Sequence, residues 1–226
     1  MRNTIEAVIF DMDGLMIDTE PIYKRALQKA AGEFGYHLSD DFVFTLIGLP
    51  NPACRRAIAS HLGPEFPLDQ YWKRWPELWR DEAEEHGISK KPGLDELLAC
   101  LQEKGTPMAI ATSSSRPQTE FSLRVSGVTF PFDHIVSGDQ VENGKPAPDI
   151  YLEASRRLDV RPERCLVLED SENGVMAGHS AGMVTIMVPD LKQPSDEVRA
   201  AAYDVMESLT RVREQLCAGN DGQLAL

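Results

Sequence analysis

Residues 7–13 read Ala-Val-Ile-Phe-Asp-Met-Asp, a short apolar run that ends on two carboxylates. The four apolar side chains predict a buried strand. Asp11 ends the run, and Asp13 and Gly14 follow it. Chain that leaves the carboxyl end of a buried strand is where open α/β sheets place their chemistry. Two carboxylates at that point predict a metal site, or a nucleophile paired with a general acid.

The bulk properties limit the class of protein. The chain has 226 residues and a net charge of −13, and 42% of its residues are hydrophobic. This length suits one large domain, or a core with a smaller domain inserted in it. The negative charge argues against nucleic acid and anionic membranes as partners, because both need a basic face. A small anionic substrate remains possible, since a metal ion and a few lysines can set the local potential.

The cysteines and the apolar runs predict a cytoplasmic protein. Cys54, Cys100, Cys165 and Cys217 are far apart, and no Cys-x-x-Cys pair is present. This spacing predicts reduced thiols and neither a zinc site nor a redox motif. No apolar run is long enough to span a bilayer, and the sequence pattern contains no signal peptide.

Strand and helix patterns alternate regularly in the second half of the chain. After residue 92, strand patterns at 108–111, 134–136, 165–168 and 183–188 are separated by helical ones. Regular alternation predicts a doubly wound, Rossmann-like α/β core with a parallel sheet. From about residue 19 to 88 the patterns are helical throughout, which predicts an inserted α-helical cap domain. The expected boundaries are 1–17 and 89–218 for the core, 18–88 for the cap and 219–226 for a flexible tail.

Polar side chains also follow later strand patterns. Thr112 and Ser113 come directly after one strand and offer hydroxyl and backbone donors for a phosphate. Glu169 and Asp170 follow another and form an oxygen-ligand pair suited to Mg2+. Lys145 lies between them, in a loop that neighbouring prolines stiffen.

Each of these features has an ordinary alternative. A lysine is usually a solvated surface residue, and acidic residues are common in the first turn of a helix. Two acids and a glycine after a strand can also form a plain loop. The occurrence of all four features in order along one α/β pattern favours a functional site.

The four motifs resemble those of the haloacid dehalogenase superfamily over about residues 4 to 190. The matching stretches are residues 7–13, Ala-Thr-Ser at 111–113, Gly-Lys-Pro-Ala-Pro-Asp at 144–149 and Leu-Val-Leu-Glu-Asp-Ser at 166–171 with Asn-Gly at 173–174. The helical insertion is similar to the small α-helical cap of subfamily I. The nearest group holds β-phosphoglucomutase, 2-deoxyglucose-6-phosphatase and pseudouridine-5′-phosphatase.

The resemblance implies a two-step phosphoryl transfer. Asp11 would attack phosphorus and form an aspartyl-phosphate. Asp13 would protonate the leaving oxygen and then activate water. Thr112, Ser113 and Lys145 would bind the oxygens of the transferring phosphoryl group.

The resemblance also implies Mg2+ as the cofactor. Its ligands would be Asp11, the backbone carbonyl of Asp13, and Asp170. Glu169 would be either a further ligand or a residue that holds a ligand in place. An acid at position 13 favours phosphate esters, because dehalogenases and phosphonate hydrolases of this superfamily lack it.

Candidate substrate contacts, most of them in the cap, are Thr19, Tyr23, Gly48, Asn51 and Arg116. Packing within a helix bundle is the alternative for Tyr23. Trp72, Trp75 and Trp79 recur at helical spacing. They predict packing inside the cap, with a substrate-stacking surface as the alternative.

The expected function is a Mg2+-dependent phosphatase for a small phosphorylated metabolite, either a sugar phosphate or a nucleoside monophosphate. A β-phosphoglucomutase-like phosphomutase is the alternative, although such mutases carry His and Arg where Tyr23 and Asn51 stand. A non-catalytic binding protein on the same fold is a third possibility, against which the intact motifs argue. We expect a monomer or weak homodimer.

Overall fold

The computed structural model describes residues 4–47, 49, 51–218 and 224–225. Gly48 therefore lies outside the described residues. The chain divides into two compact units, Met1–Asp18 with Lys90–Leu226, and Thr19–Ser89. The second unit begins and ends one residue later than the cap expected from the sequence.

The strands and helices are numbered in chain order. The strands are β1 (Thr4–Ile5), β2 (Ala7–Phe10), β3 (Ile17–Asp18), β4 (Ser89–Lys90), β5 (Met108–Thr112), β6 (His134–Ser137), β7 (Cys165–Glu169), β8 (Val184–Met187), β9 (Asp204–Val205) and β10 (Leu224–Ala225). The helices are α1 (Glu20–Glu33), α2 (Asp40–Leu46), α3 (Asn51–Leu62), α4 (Leu68–His86), α5 (Leu94–Glu103), α6 (Arg116–Ser126), α7 (Asp149–Leu158), α8 (Glu172–Ser180), α9 (Asp196–Ala201) and α10 (Leu209–Cys217).

The first unit is built on a six-stranded sheet in the order β6-β5-β2-β7-β8-β9. All of its strand pairs are parallel. From β2 the sheet is built outward on one side through β5 and β6, and on the other through β7, β8 and β9. The order of a doubly wound sheet reverses at β2, and ligands bind outside the carboxyl ends of strands at such a point. The predicted α/β fold class is confirmed.

The three central strands are buried along their whole length. Every residue of β2, β5 and β7 is buried, as expected for parallel strands covered on both faces. Their side chains join one apolar cluster that includes Ile9, Val167 and, from α7, Tyr151. This packing fixes the ends of β2, β5 and β7, from which the candidate site residues extend.

The carboxyl-terminal segment contains elements that were not predicted from the sequence. Strand β9 and helix α9 are too short for a clear periodicity. Helix α10 does carry an apolar helical spacing, with Leu209, Val212 and Leu216 buried, and sequence reasoning missed it. Within the expected flexible tail, Leu224 and Ala225 pair antiparallel with β1. Burial of the Leu224 side chain favours this pairing. Residues 219–223 and 226 lie outside the described part of the chain.

A disulfide joins Cys100 in α5 to Cys217 in α10. The prediction of reduced thiols is therefore wrong for this pair, whereas Cys54 and Cys165 are free. The two cysteines are 117 positions apart in sequence, but α5 and α10 pack together and bring their Cα atoms to 6.6 Å. Chain-entropy arguments assign roughly 4–5 kcal/mol of stabilisation to a loop of this length.

The second unit is a bundle of α1–α4, in which α1 packs along α4. Its buried carboxylate, Glu82, accepts hydrogen bonds from Arg25 Nε at 3.0 Å and Lys29 Nζ at 2.7 Å. These partners are partly exposed, while the Glu82 side chain is only 6% exposed. Across the described residues, every helix is too short or too polar to cross a membrane.

The Glu82 ion pairs predict a pH-dependent contribution to stability. Hydrogen bonding to Lys29 lowers the pKa of Glu82. The contribution is thus present above the unfolded pKa of about 4.3 and is lost as the pH falls through the folded pKa. We expect Glu82→Gln to lower the free energy of unfolding by about 1–2 kcal/mol at pH 7, and by less at lower pH.

Urea unfolding at several pH values measures this effect. Glu77→Gln is the matched control, because Glu77 lies on the same helix and forms a mostly exposed pair with Arg74. That control should change stability by less than about 0.5 kcal/mol. Equal losses of unfolding free energy in the two variants would show that burial of Glu82 does not strengthen its ion pairs.

Candidate active site

The candidate site begins where β2 ends. The backbone N–H of Asp11 donates to Leu168 O at 3.0 Å, so the β2–β7 pairing continues one residue past the strand. This bond holds the buried Asp11 beside the end of β7. Asp13 is half-buried, two residues farther on. Its side chain accepts hydrogen bonds from Ser114 Oγ at 2.8 Å and Thr112 Oγ1 at 3.3 Å, at the end of β5.

Lys145 joins the ends of three strands. Its Nζ donates to a carboxylate oxygen of Asp11, to Glu169 Oε1 at 2.6 Å and to Ala111 O at 3.1 Å. The lysine side chain is only 5% exposed. Burial alone would lower the pKa of Lys145, but the charges of Asp11 and Glu169 outweigh it and raise that pKa well above its usual value. The ammonium group is therefore charged at neutral pH.

Glu169 is fully buried, and each of its two carboxylate oxygens accepts several hydrogen bonds. Its Oε1 accepts from Lys145 and, at 2.8 Å, from the hydroxyl of Tyr151. Its Oε2 accepts from the backbone N–H groups of Asp170 and Ser171, both at 2.9 Å, and from Ser171 Oγ at 3.0 Å. Burial would raise the pKa of Glu169, but Lys145 and these donors lower it. Glu169 is thus an ionised anchor for Lys145 and for the turn after β7.

Two glycines leave room for the acidic side chains. A Cβ on Gly174 would lie 1.7 Å from Glu169 Oε1, which no real contact allows. A Cβ on Gly14 would lie 2.2 Å from Asp170 Oδ2, and the backbone of Gly14 has φ +89°. The carboxylates of Glu169 and Asp170 therefore fit in these positions only because residues 174 and 14 are glycines.

Carboxylate oxygens of Asp11, Glu169 and Asp170 lie within 4.8 Å of one another. Burial is the largest cause that raises the pKa of Asp11, to about 8. Burial and the charges of Glu169 and Asp11 raise the pKa of Asp170 well above its usual value. A raised pKa means that the ionised form of a carboxyl group is disfavoured in the ion-free protein, and the one ammonium group of Lys145 does not offset this for both groups. Neighbouring carboxyl oxygens that need a further positive charge in order to ionise fit a hard divalent cation such as Mg2+.

The remaining predicted phosphate-binding residues lie at the end of β5. Thr112 is buried, and its Oγ1 accepts from the backbone N–H of Ser114 at 3.1 Å while it donates to Asp13. Ser113 is exposed at the start of the following loop. The structure thus brings Thr112 to Asp13, and it leaves the Ser113 side chain open to solvent.

Tyr23 and Asn51 line a cavity of about 190 Å³ within the second unit, Thr19–Ser89, where the sequence predicts the cap. Trp72 and Trp75 are half-buried in the wall of this cavity. Trp79 is buried, and its ring centroid lies 5.5 Å from that of Tyr23. Of the three tryptophans, Trp79 therefore packs inside this unit, whereas Trp72 and Trp75 face the cavity.

Two other candidate contacts have local roles. Thr19 is buried at the N-cap position of α1, but its side chain makes no capping hydrogen bond. Arg116 begins α6, and its side chain bonds Glu120 Oε1 at 2.6 Å and Ile135 O at 3.4 Å. These side-chain hydrogen bonds of Arg116 thus lie on its own helix and on β6.

Sequence reasoning missed three residues that hold the carboxylates. Ser114 bonds Asp13, while Tyr151 and Ser171 bond Glu169. The serine run after β5 was a signal for Ser114. The pattern Ser-Glu-Asn-Gly at 171–174 was a signal for Ser171, which also caps α8. Tyr151 had no local signal, because its hydroxyl reaches Glu169 through the packing of α7.

Comparison with known proteins gives consistent relatives. Residues 8–188 match the family described as haloacid dehalogenase-like hydrolase. The "Phosphorylated carbohydrates phosphatase" of Thermotoga maritima is 37% identical over 80% of this chain and 84% of its own. The "Probable pseudouridine-5'-phosphatase" of Drosophila melanogaster is 35% identical over 89% of this chain and 88% of its own.

A solved structure of a relative agrees with this assignment. CbbY from Rhodobacter sphaeroides, in complex with phosphate, superposes with a TM-score of 0.76. It is 30% identical, and the match covers 92% of this chain and 96% of that one.

The contact of Gly174 with Glu169 predicts a large cost for a single methyl group. Gly174→Ala should lower the free energy of unfolding by about 1–3 kcal/mol, because Glu169 cannot yield without losing its donors. Denaturant unfolding measures this loss. Gly32→Ala in α1 is the control, since its Cβ would meet nothing within 4 Å. It should leave stability unchanged or raise it by up to about 1 kcal/mol. A Gly174→Ala protein as stable as its parent would contradict the geometry.

Proposed function

This chain belongs to the haloacid dehalogenase-like hydrolase family, and on that premise we propose that it is a Mg2+-dependent phosphatase for a small phosphorylated metabolite. One observation carries the proposal, namely that Lys145 joins Asp11 and Glu169 beside Asp170 at the switch point of the sheet. A carboxylate nucleophile, a fixed cation and oxygen ligands for a metal are the parts that phosphoryl transfer to an aspartate needs.

In the first step, a carboxylate oxygen of Asp11 attacks phosphorus and the bond from phosphorus to the ester oxygen breaks. Asp13 donates its proton to the departing oxygen, so the product leaves as a neutral alcohol. In the second step, water attacks the aspartyl-phosphate and Asp13 takes its proton. The bond from phosphorus to Asp11 breaks, and inorganic phosphate leaves.

The hydrogen bonds of Asp13 suit its two roles, as general acid in the first step and general base in the second. Thr112 and Ser114 donate to the same oxygen, Oδ2, and so fix the orientation of the carboxyl group. We infer that its other oxygen carries the transferred proton. The Ser113 backbone N–H would bind the oxygens of the phosphoryl group as charge spreads over them, and Lys145 and the Thr112 hydroxyl would join it by turning a proton from Asp11 and from Asp13 toward those oxygens.

Asp11, Asp170 and the backbone carbonyl of Asp13 would hold the ion. Bound Mg2+ supplies charge neutralisation between the Asp11 carboxylate and a phosphate dianion. Glu169 is better suited to holding Lys145 than to binding the ion directly, because both of its oxygens already accept several hydrogen bonds.

The names of the relatives suggest two substrate classes, phosphorylated carbohydrates and a nucleoside monophosphate. A phosphomutase is the alternative, and it has to bind a second phosphate group. Among the described residues that line the cap cavity, none is a lysine or arginine. Tyr23 and Asn51 also stand where such mutases carry His and Arg. These observations favour a phosphatase.

Initial rates of phosphate release over a panel of sugar and nucleoside phosphates test the proposal. Activity should require Mg2+ and disappear with a chelator.

Asp11→Asn should lower kcat at least about 1,000-fold, because the amide cannot serve as the nucleophile. Its stability should not fall, since burial already disfavours the charged form of Asp11. Asp95→Asn, which changes an exposed pair with Lys90, should keep the parent rate. Mg2+-dependent turnover by folded Asp11→Asn would contradict a covalent mechanism.

A second assay separates the phosphatase from the mutase. The protein is incubated with hexose 1-phosphate and a hexose bisphosphate primer, and both products are measured. We expect free phosphate with little hexose 6-phosphate. Efficient isomerisation without phosphate release would identify a mutase instead.

A further inference from the structure

Tyr151 contacts both members of the buried ion pair between Lys145 and Glu169. Its hydroxyl donates to Glu169 Oε1 at 2.8 Å, and Lys145 Nζ donates to the same oxygen at 2.6 Å. The ammonium nitrogen also lies over the Tyr151 ring, 4.9 Å from the ring centroid, which is within the range of a cation–π contact. Tyr151 is fully buried, so bulk water does not compete for either contact.

The position of Tyr151 is itself fixed by packing. The residue lies in the first turn of α7, a helix that packs against β5 and β6. Its side chain belongs to the apolar cluster that also contains Ala109 and Val136 from those two strands. The same segment of chain carries Lys145, shortly before α7 begins at Asp149. The tyrosine is therefore a rigid neighbour of the lysine.

The ammonium group of Lys145 has three protons, and each has an acceptor. These acceptors are a carboxylate oxygen of Asp11, Glu169 Oε1 and Ala111 O. In the proposed reaction, the proton on Asp11 turns to a phosphoryl oxygen. The contacts with Glu169 and Ala111 remain, and they limit how far the ammonium group reaches toward the phosphoryl group. Of these two acceptors, the charged Glu169 binds Lys145 more strongly.

We propose that Tyr151 is a positioning residue for phosphoryl transfer, and that its hydroxyl keeps Lys145 within reach of the phosphoryl group by sharing Glu169 Oε1. The inference rests on the proposed function. While the hydroxyl donates, two donors together satisfy a buried, charged oxygen. Without the hydroxyl, this oxygen draws Lys145 closer to Glu169 and farther from Asp11. Charge that develops on the phosphoryl oxygens in the transition state then loses part of its stabilisation.

Tyr151→Phe tests this role, because it removes the hydroxyl and keeps the ring over Lys145. Initial rates are measured with Mg2+, well below the Tm of each variant, on the sugar or nucleoside phosphate that the parent hydrolyses fastest. We expect kcat to fall about tenfold, the scale of one hydrogen bond to a charged group. KM should stay within about twofold of the parent, because the lost interaction is strongest in the transition state.

Tyr71→Phe is the matched control. Tyr71 is also a fully buried tyrosine, and its hydroxyl donates to Leu27 O at 3.4 Å in the second unit. This variant should keep the kcat of the parent, even if its Tm falls. A fall in kcat that is equal in the two tyrosine variants would overturn the inference, because it would reflect the loss of any buried hydroxyl.

A second background shows whether Tyr151 acts through Lys145. Lys145→Gln removes the charge of the lysine and keeps a donor for Glu169. In that background Tyr151→Phe should change kcat by less than about twofold, because residues that act as a unit are not additive. A tenfold loss that persists there would overturn the action through Lys145.

The remaining outcomes separate this inference from the proposed function. If the parent is active and Tyr151→Phe keeps its kcat, with or without a lower Tm, Tyr151 is only structural and this inference alone is overturned. A parent that hydrolyses none of the phosphates would overturn the proposed function and this inference together.

Discussion

The contact of one buried ammonium group with two carboxylates governs the rest of the core. Lys145 lies between Asp11 and Glu169, with almost no exposure to solvent. A buried ion pair contributes to stability only when its remaining hydrogen-bonding capacity is met. Tyr151, Ser171 and the backbone of the turn after β7 meet that of Glu169. The site is therefore built around the charges of Lys145 and Glu169, which the protein holds in place before any ligand arrives.

The sheet makes this arrangement possible. Three fully buried strands, β5, β2 and β7, are neighbours and run in the same direction, so their carboxyl ends deliver polar side chains to one edge. The apolar cluster beneath them fixes those ends. Each strand end supplies a different chemical group. The carboxylates of Asp11 and Asp13 follow β2, hydroxyl groups lie at the end of β5, and β7 ends on Glu169, the carboxylate that holds Lys145.

The fold and the motif residues could be predicted because their signals are local. An apolar run that ends on acids identifies both a strand and its functional end, as residues 7–13 illustrate. Lys145 is predicted from its place among the four motifs, in the stretch Gly-Lys-Pro-Ala-Pro-Asp at 144–149. Contacts made by tertiary packing have no such signal. Tyr151 reaches Glu169 and Lys145 from the face of a helix. The Cys100–Cys217 pair was missed for the same reason, since spacing along the chain does not measure distance in space.

That disulfide has a topological consequence for the core. It closes residues 100–217 into a covalent ring that contains five of the six strands of the parallel sheet. The sixth, β2, comes from outside the ring, yet it occupies the centre of the sheet between β5 and β7. Asp11 and Asp13 are therefore carried on a free arm of the chain, whereas Thr112, Lys145, Glu169 and Asp170 all belong to the ring. The candidate active site is complete only when the arm inserts its strand between two strands of a closed loop.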